Sequence, residues 1–207
     1  FYNSRRDDGV SWVDGKPARS LLVSWRDLLA RIGPVFHDAR KAIFGNPHVK
    51  RLELMRELDG IYEEFTYDGF NLNLCGLLGL RKPVLGWTAV PDNLRPDPDA
   101  FFQRFLYLGA FPTAPFPEND HTINPDPWAE RHYLDYGPLL DTLLGKRWML
   151  EPRCIEVVSG KARANLFEVP GGWVAPVVLG GDSPSARVRI RGLAGRNPWR
   201  VEVLHPG

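Results

Sequence analysis

The chain has 207 residues, 43% of them hydrophobic, and carries 26 Lys and Arg against 25 Asp and Glu for a net charge of +1. Such a length and apolar content allow a sizeable core, in one large domain or two small ones. The balanced charge offers no global field for nucleic acid or an anionic membrane. Cys75 and Cys154 are too few for a disulfide framework, and no Cys/His spacing matches a structural zinc site. No apolar run reaches the ~18 residues of a membrane helix. The expectations are two buried free thiols, no metal, no cofactor, no nucleic-acid partner and no membrane span. The charged start Phe1-Tyr2-Asn3-Ser4-Arg5-Arg6-Asp7-Asp8 is unlike a signal peptide and lacks an initiator Met, so the chain reads as a fragment of a longer protein.

Residues 1–19 mix Asn3, Asp7, Asp8, Asp14 and glycines with the aromatics Tyr2 and Trp12, which suits a surface loop. Aromatic faces stack on sugar rings and carboxylates bind hydroxyls, so this loop can line a sugar site; Asp7-Asp8-Gly9 reads equally as a plain turn. Ser24 is placed to cap a first helix, with Asp27 as the acid of a capping box and Leu28, Leu29, Ile32, Val35, Phe36 and Ala39 at helical spacing. Pro34 predicts a kink or break within it. Ala42-Ile43-Phe44 reads as a short buried strand ending in Gly45-Asn46-Pro47, and residues 48–58 as a second helical pattern.

Leu58-Asp59-Gly60-Ile61-Tyr62-Glu63-Glu64-Phe65 follows, a strand with three carboxylates where a strand buried on both faces carries a near-continuous apolar run. Residues 70–80 read as a helix, and Lys82-Pro83-Val84-Leu85-Gly86-Trp87-Thr88 as another strand. Strands separated by helical segments imply right-handed crossovers and a parallel sheet. No glycine-rich nucleotide-binding turn follows any of them, so a partial (β/α)8 barrel is favoured over a doubly wound sheet. Catalytic groups in such barrels lie at the C-terminal strand ends, which puts Asn46, Glu63, Glu64, Trp87 and Thr88 on one rim.

Residues 99–111 have a helical aromatic stripe, Phe101, Phe102, Phe105, Leu106 and Leu108, expected to be core. The prolines of residues 111–117 hold an extended path toward Asn119-Asp120-His121, a candidate loop for a site. Residues 135–144 form a further helix stopped by Gly145. From Arg147 the texture changes to short runs, 148–150, 155–158, 164–169, 173–179, 186–190 and 200–204, most of them separated by turns, as in an antiparallel sandwich. Arg187-Val188-Arg189-Ile190-Arg191 alternates as a half-wet strand does. The fold class is therefore α/β: a partial TIM (β/α)8 barrel over residues 1–147, then a small antiparallel β-sandwich domain over residues 148–207.

A barrel end followed by a compact β domain, with acids on the strand tips, resembles the C-terminal half of an α-galactosidase-like glycoside hydrolase. The resemblance rests on residues 58–65, Gly86-Trp87-Thr88, Asn119-Asp120-His121 and the hairpin from Asn165-Leu166-Phe167 to Val177. It implies a catalytic barrel closed by a C-terminal β domain, a carbohydrate substrate, and further strands, with room among them for the nucleophile, in an N-terminal part of the same barrel that is missing here.

Glycoside hydrolysis needs two carboxyl groups, about 5–5.5 Å apart for retention or roughly 6.5–9.5 Å for inversion. Glu63 and Glu64 point to opposite faces of one strand and cannot easily be that pair. Glu64, nearest the tip, is the catalytic candidate; Glu63 turns toward a covering helix; Asp59, ~17 Å back along the strand, makes a structural bond. The partner acid is Asp7, Asp8 or Asp120, or lies outside the chain, with Asp8 and Asp120 taken as the catalytic candidates. Asp7, Asn46, Glu63, Trp87 as a stacking platform, Thr88, Asn119 and His121 complete the substrate-binding set. Two other classes fit the same residues: a non-catalytic carbohydrate-binding or scaffold protein with a degenerate barrel, and a metal-assisted lyase or isomerase using Asp120, His121 and Glu64.

Overall fold

The computed structural model describes residues 2–46, 51–64, 70–88, 90–114, 125–181, 183–192 and 200–207. It is a mixed α/β protein with parallel and antiparallel strand pairs, divided into two compact units, residues 1–61 and 62–207.

The first unit opens with β1 (Tyr2–Asn3), β2 (Ser11–Val13) and β3 (Lys16–Ser20), an antiparallel sheet in the order β1-β3-β2. Where a loop was expected, a tight hairpin forms, because Asp14 and Gly15 take positive φ of 51° and 71° between the paired Val13 and Lys16. An Asp-Gly pair in that conformation matches the strand twist. Helix α1 (Leu21–Asp38) is capped by Ser20, whose hydroxyl accepts from Leu22 N–H at 3.2 Å. Ser24 lies a full turn inside, donating to the Ser20 carbonyl, so the helix starts earlier than its apolar spacing announces. Pro34 sits within α1 and the helix continues past it to Asp38.

Strand β4 (Phe44–Gly45), helix α2 (Leu52–Met55) and the start of β5 (Gly60–Glu63) complete this unit, with β4 and β5 parallel through Phe44↔Gly60 and Gly45↔Ile61. Leu54, Met55, Leu58 and Ile61 are buried. Asp59, just ahead of β5, accepts from Ile43 N–H at 2.8 Å and pairs with His37 at 2.9 Å, the structural bond expected of it.

In the second unit, α3 (Phe70–Leu78) leads to β6 (Val84–Gly86), a π-helix over Val90–Leu94, α4 (Pro98–Leu108) and β7 (Phe111–Pro112). Strands β6 and β7 are parallel, Leu85 opposite Phe111. Gly86 is small for a reason: a Cβ there would lie 2.7 Å from the Phe105 ring and 3.1 Å from Leu72. Asp97 caps α4 through Ala100 N–H at 2.9 Å, and Gly109 closes it at φ 64° with Ala110 N–H bonded back to the Phe105 carbonyl. Phe101, Phe102, Phe105 and Leu108 are its buried face, as the stripe predicts, whereas Leu106 of the same stripe is only half-buried. Helix α5 (Pro127–Asp141) begins eight residues before the expected Asp135, on an Asp126 cap followed by Pro127.

After α5 come β8 (Arg147–Trp148), β9 (Ile155–Ser159), β10 (Ala162–Ala164), β11 (Phe167–Val169), β12 (Gly172–Val174), β13 (Val177–Leu179) and β14 (Arg187–Ile190). They make three small antiparallel sheets, β12-β11-β8, β10-β13 and β14-β9. The run 173–179 is split because Pro176 has no N–H to donate; its carbonyl accepts from Asn165 instead, and the strands on either side join different sheets. Alternation at residues 187–190 holds, with Arg187 and Arg189 exposed and Val188 and Ile190 half-buried. Residues 200–204 form no ladder and leave Val201 and Val203 exposed.

One buried cation ties helix α3 to this region. Of its last carbonyls, Cys75 bonds Gly79 N–H, Leu77 bonds Leu80 N–H, and Gly76 accepts from the fully buried Lys146 Nζ at 3.2 Å. A cation at a helix C-terminus satisfies an orphan acceptor and meets the negative dipole end. Burial still lowers the ammonium from its ordinary 10.5 to about 8. Between those values the unfolded chain holds the extra proton, so Lys146 makes stability rise with pH from about 8 to 10.5, by on the order of 3 kcal/mol in all. Denaturant titrations across that window are expected to show the rise in the wild type and not in Lys146→Met; an equal rise in both would contradict it.

Candidate functional site

Strand alternation decides which side chains meet at the end of β5. Glu63 is buried and turned toward α3, where Cys75 Sγ donates to its Oε2 at 3.3 Å. Tyr62 and Glu64 therefore share the other face. The Tyr62 ring lies 6.3 Å from that of Trp87, inclined by 30°. Burial, and then the charge of Glu64, push the Tyr62 phenol up to about 12, so it stays a neutral donor and acceptor at physiological pH.

The backbone holds these groups in register. Trp87 N–H donates to the Glu63 carbonyl at 3.0 Å, Thr113 N–H to the Gly86 carbonyl at 2.9 Å, and Thr88 N–H to Thr113 Oγ1 at 3.2 Å. Tyr133, from α5, donates its hydroxyl to the Thr113 carbonyl at 2.6 Å. Thr88 is fully buried, and its Oγ1 has no hydrogen bond of ordinary geometry among the described residues; its neighbour is the Tyr133 phenol, which burial pushes up to about 12 against the opposing effect of Thr88. The tips of β5, β6 and β7 thus bring together Tyr62, Glu64, Trp87, Thr88, Thr113 and Tyr133.

The other expected site residues fall elsewhere. Asp7 accepts from Gly9 N–H at 2.7 Å in a local turn of the first unit. Asp8 accepts from the N–H groups of Ser20 at 2.8 Å, Ser11 at 2.7 Å and Val10 at 3.1 Å, and from the Ser11 hydroxyl at 2.8 Å. These bonds, Ser20 first, hold its carboxyl far below the usual carboxylate range, and both oxygens are committed to bracing the N-terminal strands. Asn46 follows β4 in the first unit. Trp87 is 5% exposed, so its indole packs against Tyr62 and offers no open stacking face. Asn119, Asp120 and His121 lie outside the described residues.

No family model, curated protein or solved structure matches the chain. What the site can do therefore rests on its own residues. Among the described residues no group of three or more His, Cys, Asp or Glu is disposed to hold a metal ion, and no helix is long and apolar enough to cross a membrane. Tyr62 was legible in advance, two residues before Glu64 and hence on its face. Thr113 was hidden because the strand just before it, Phe111–Pro112, carries a proline, and Tyr133 has no sequence signal at all, since only the packing of α5 brings it to the strand tips.

The shared face of Tyr62 and Glu64 is open to a direct check. Replacing Glu64 with Gln removes a negative charge that disfavours the phenolate, so the Tyr62 pKa is expected to fall. Titration of the ring-labelled Tyr62 resonance measures it. An unchanged Tyr62 titration would place Glu64 on another face.

Proposed function

We propose that this chain is the C-terminal part of a carbohydrate-active glycoside hydrolase, with a partial (β/α)8 barrel followed by an antiparallel β-sandwich domain, similar to the α-galactosidase-like enzymes. One observation carries the reading: a carboxylate, Glu64, one residue past the C-terminal end of a parallel strand, whose charge acts on a tyrosine whose ring meets a tryptophan. The ends of parallel strands are where barrel enzymes hold their reacting groups. Carboxylates and aromatic rings side by side are the chemistry of sugar recognition and glycosidic cleavage.

Glu64 supplies one of the two carboxyl groups that bond cleavage needs, acting as acid or as nucleophile or base. Tyr62 stays protonated and donates to Glu64 or to a sugar hydroxyl, and Trp87 stiffens the wall behind it. Glu63, one residue earlier and buried against Cys75, faces away from the substrate and fixes the strand against α3. The second carboxyl group comes from Asp120 or from a part of the barrel beyond this chain, because Asp8 already serves the N-terminal strands. No metal and no cofactor enter the reaction.

The test is a screen of α- and β-linked aryl glycosides with the intact protein, followed by Glu64→Gln on any substrate turned over. Removing a general acid or base is expected to cost roughly 100- to 10,000-fold in kcat. Turnover that persists in chelator is expected. A Glu64→Gln variant with wild-type kcat, or activity abolished by chelator, would sink the proposal; saccharide binding without turnover of any glycoside would favour the non-catalytic carbohydrate-binding protein.

A further inference from the structure

Beyond β6 the chain turns wide through the π-helix, where Arg95 N–H bonds the Val90 carbonyl at 2.9 Å, before α4 begins. Wide turns of this kind recur at functional sites. Between this turn, α4 and Leu72 of α3 lies a cleft of about 310 Å³. Glu64, Tyr62 and Trp87 are not among its walls.

Its lining has two characters. Leu72 and Phe101 are apolar and buried, and Phe101 is held in place by Phe102 edge-on at 5.1 Å and by Phe105 at 4.9 Å. Asp92, Asn93, Asp97 and Arg104 are polar. Asp97 is fixed by its capping bond to Ala100 N–H, whereas Asp92 is exposed and makes no hydrogen bond or ion pair with any described residue.

We propose that this cleft is a second, non-catalytic site that binds one neutral pyranose unit; the choice of a sugar among polyhydroxy ligands rests on the carbohydrate-active reading above. The volume lies at the lower end of the range for ligand pockets, about 300–1,000 Å³, enough for one ring and too small for a chain of them. Two carboxylates against one guanidinium disfavour an anion. A wall of four polar side chains disfavours a purely apolar ligand. A pyranose satisfies both characters at once: its C–H face lies against Pro96 and Ala100, the exposed apolar part of the lining, and its hydroxyls donate to Asp92.

Ligand-observed NMR on the intact protein tests this, with methyl α- and β-pyranosides of galactose, glucose and mannose as probes and with Asp92→Ala and Glu64→Gln beside the wild type. Circular dichroism confirms that the Asp92→Ala protein is folded, as its exposed position leads one to expect. At least one glycoside is expected to bind with a dissociation constant on the order of millimolar, weakened about tenfold by Asp92→Ala and unchanged by Glu64→Gln. Absence of binding by every probe overturns the inference, as does binding that Asp92→Ala leaves intact. Binding weakened by Glu64→Gln as much as by Asp92→Ala overturns it too. A protein that binds in this pattern and hydrolyses no glycoside would sink the hydrolase reading alone.

Discussion

The hydrogen bond from Trp87 N–H to the Glu63 carbonyl, 3.0 Å long, is the constraint on which the strand-tip site depends. It locks the backbone of β5 in extended form up to its last residue, and an extended backbone must send successive side chains to opposite faces. Two adjacent glutamates are thereby given different surroundings. Glu63 is buried beside a thiol, and Glu64 follows it at the tip, where its charge acts on Tyr62. If β5 slipped by one residue, the pair would exchange faces, burying Glu64 and turning Glu63 to the side that Glu64 now occupies.

The close approach that supports this register is made by the absence of a side chain. Gly86 ends β6 immediately before Trp87 and Thr88, and the Phe105 ring of α4 and Leu72 of α3 occupy the space a Cβ would need. Helices α3 and α4 can then lie tight over β6. Lys146 acts on the other end of α3, donating to the Gly76 carbonyl from a buried position whose cost appears as a depressed pKa. The second unit therefore carries a deliberate compromise: a buried charge offsets an unsatisfied helix end where an apolar residue would be easier to bury.

Much of this was legible in the sequence where local rules suffice. The alternation rule separates Glu63 from Glu64, the stripe on α4 marks its buried face, and the alternating arginines of β14 mark its wet one. Other features were hidden by competing signals. The Asp14-Gly15 turn is a strong hairpin signal, yet the surrounding polar residues read as a loop. Ser20 outranks Ser24 as the cap of α1 because it takes the extended conformation just before the helix, with φ −63° and ψ 135°, and only that conformation aims a hydroxyl at the free N–H groups. The Asp126-Pro127 start of α5 was likewise available as a capping signal but carries no apolar periodicity of its own. Tyr133 and Thr113 belong to a third class, brought together by tertiary packing that no single stretch records.

The same distinction applies to the acids. Composition alone makes Asp7, Asp8, Glu63 and Glu64 equal candidates; alternation separates the two glutamates, and their partners separate the aspartates from Glu64. Asp8 is ringed by backbone N–H donors, which stabilise the anion and tie it to the strands it joins, whereas Glu64 sits where aromatic rings gather at strand ends. A catalytic Glu64 at a sugar site must be found by a sugar-derived reagent. Treatment of the intact protein with an epoxyalkyl glycoside, followed by mass-spectrometric mapping of the esterified carboxylate, is expected to show the label on Glu64. A protein that stays unlabelled, or a label confined to other acids, would contradict it.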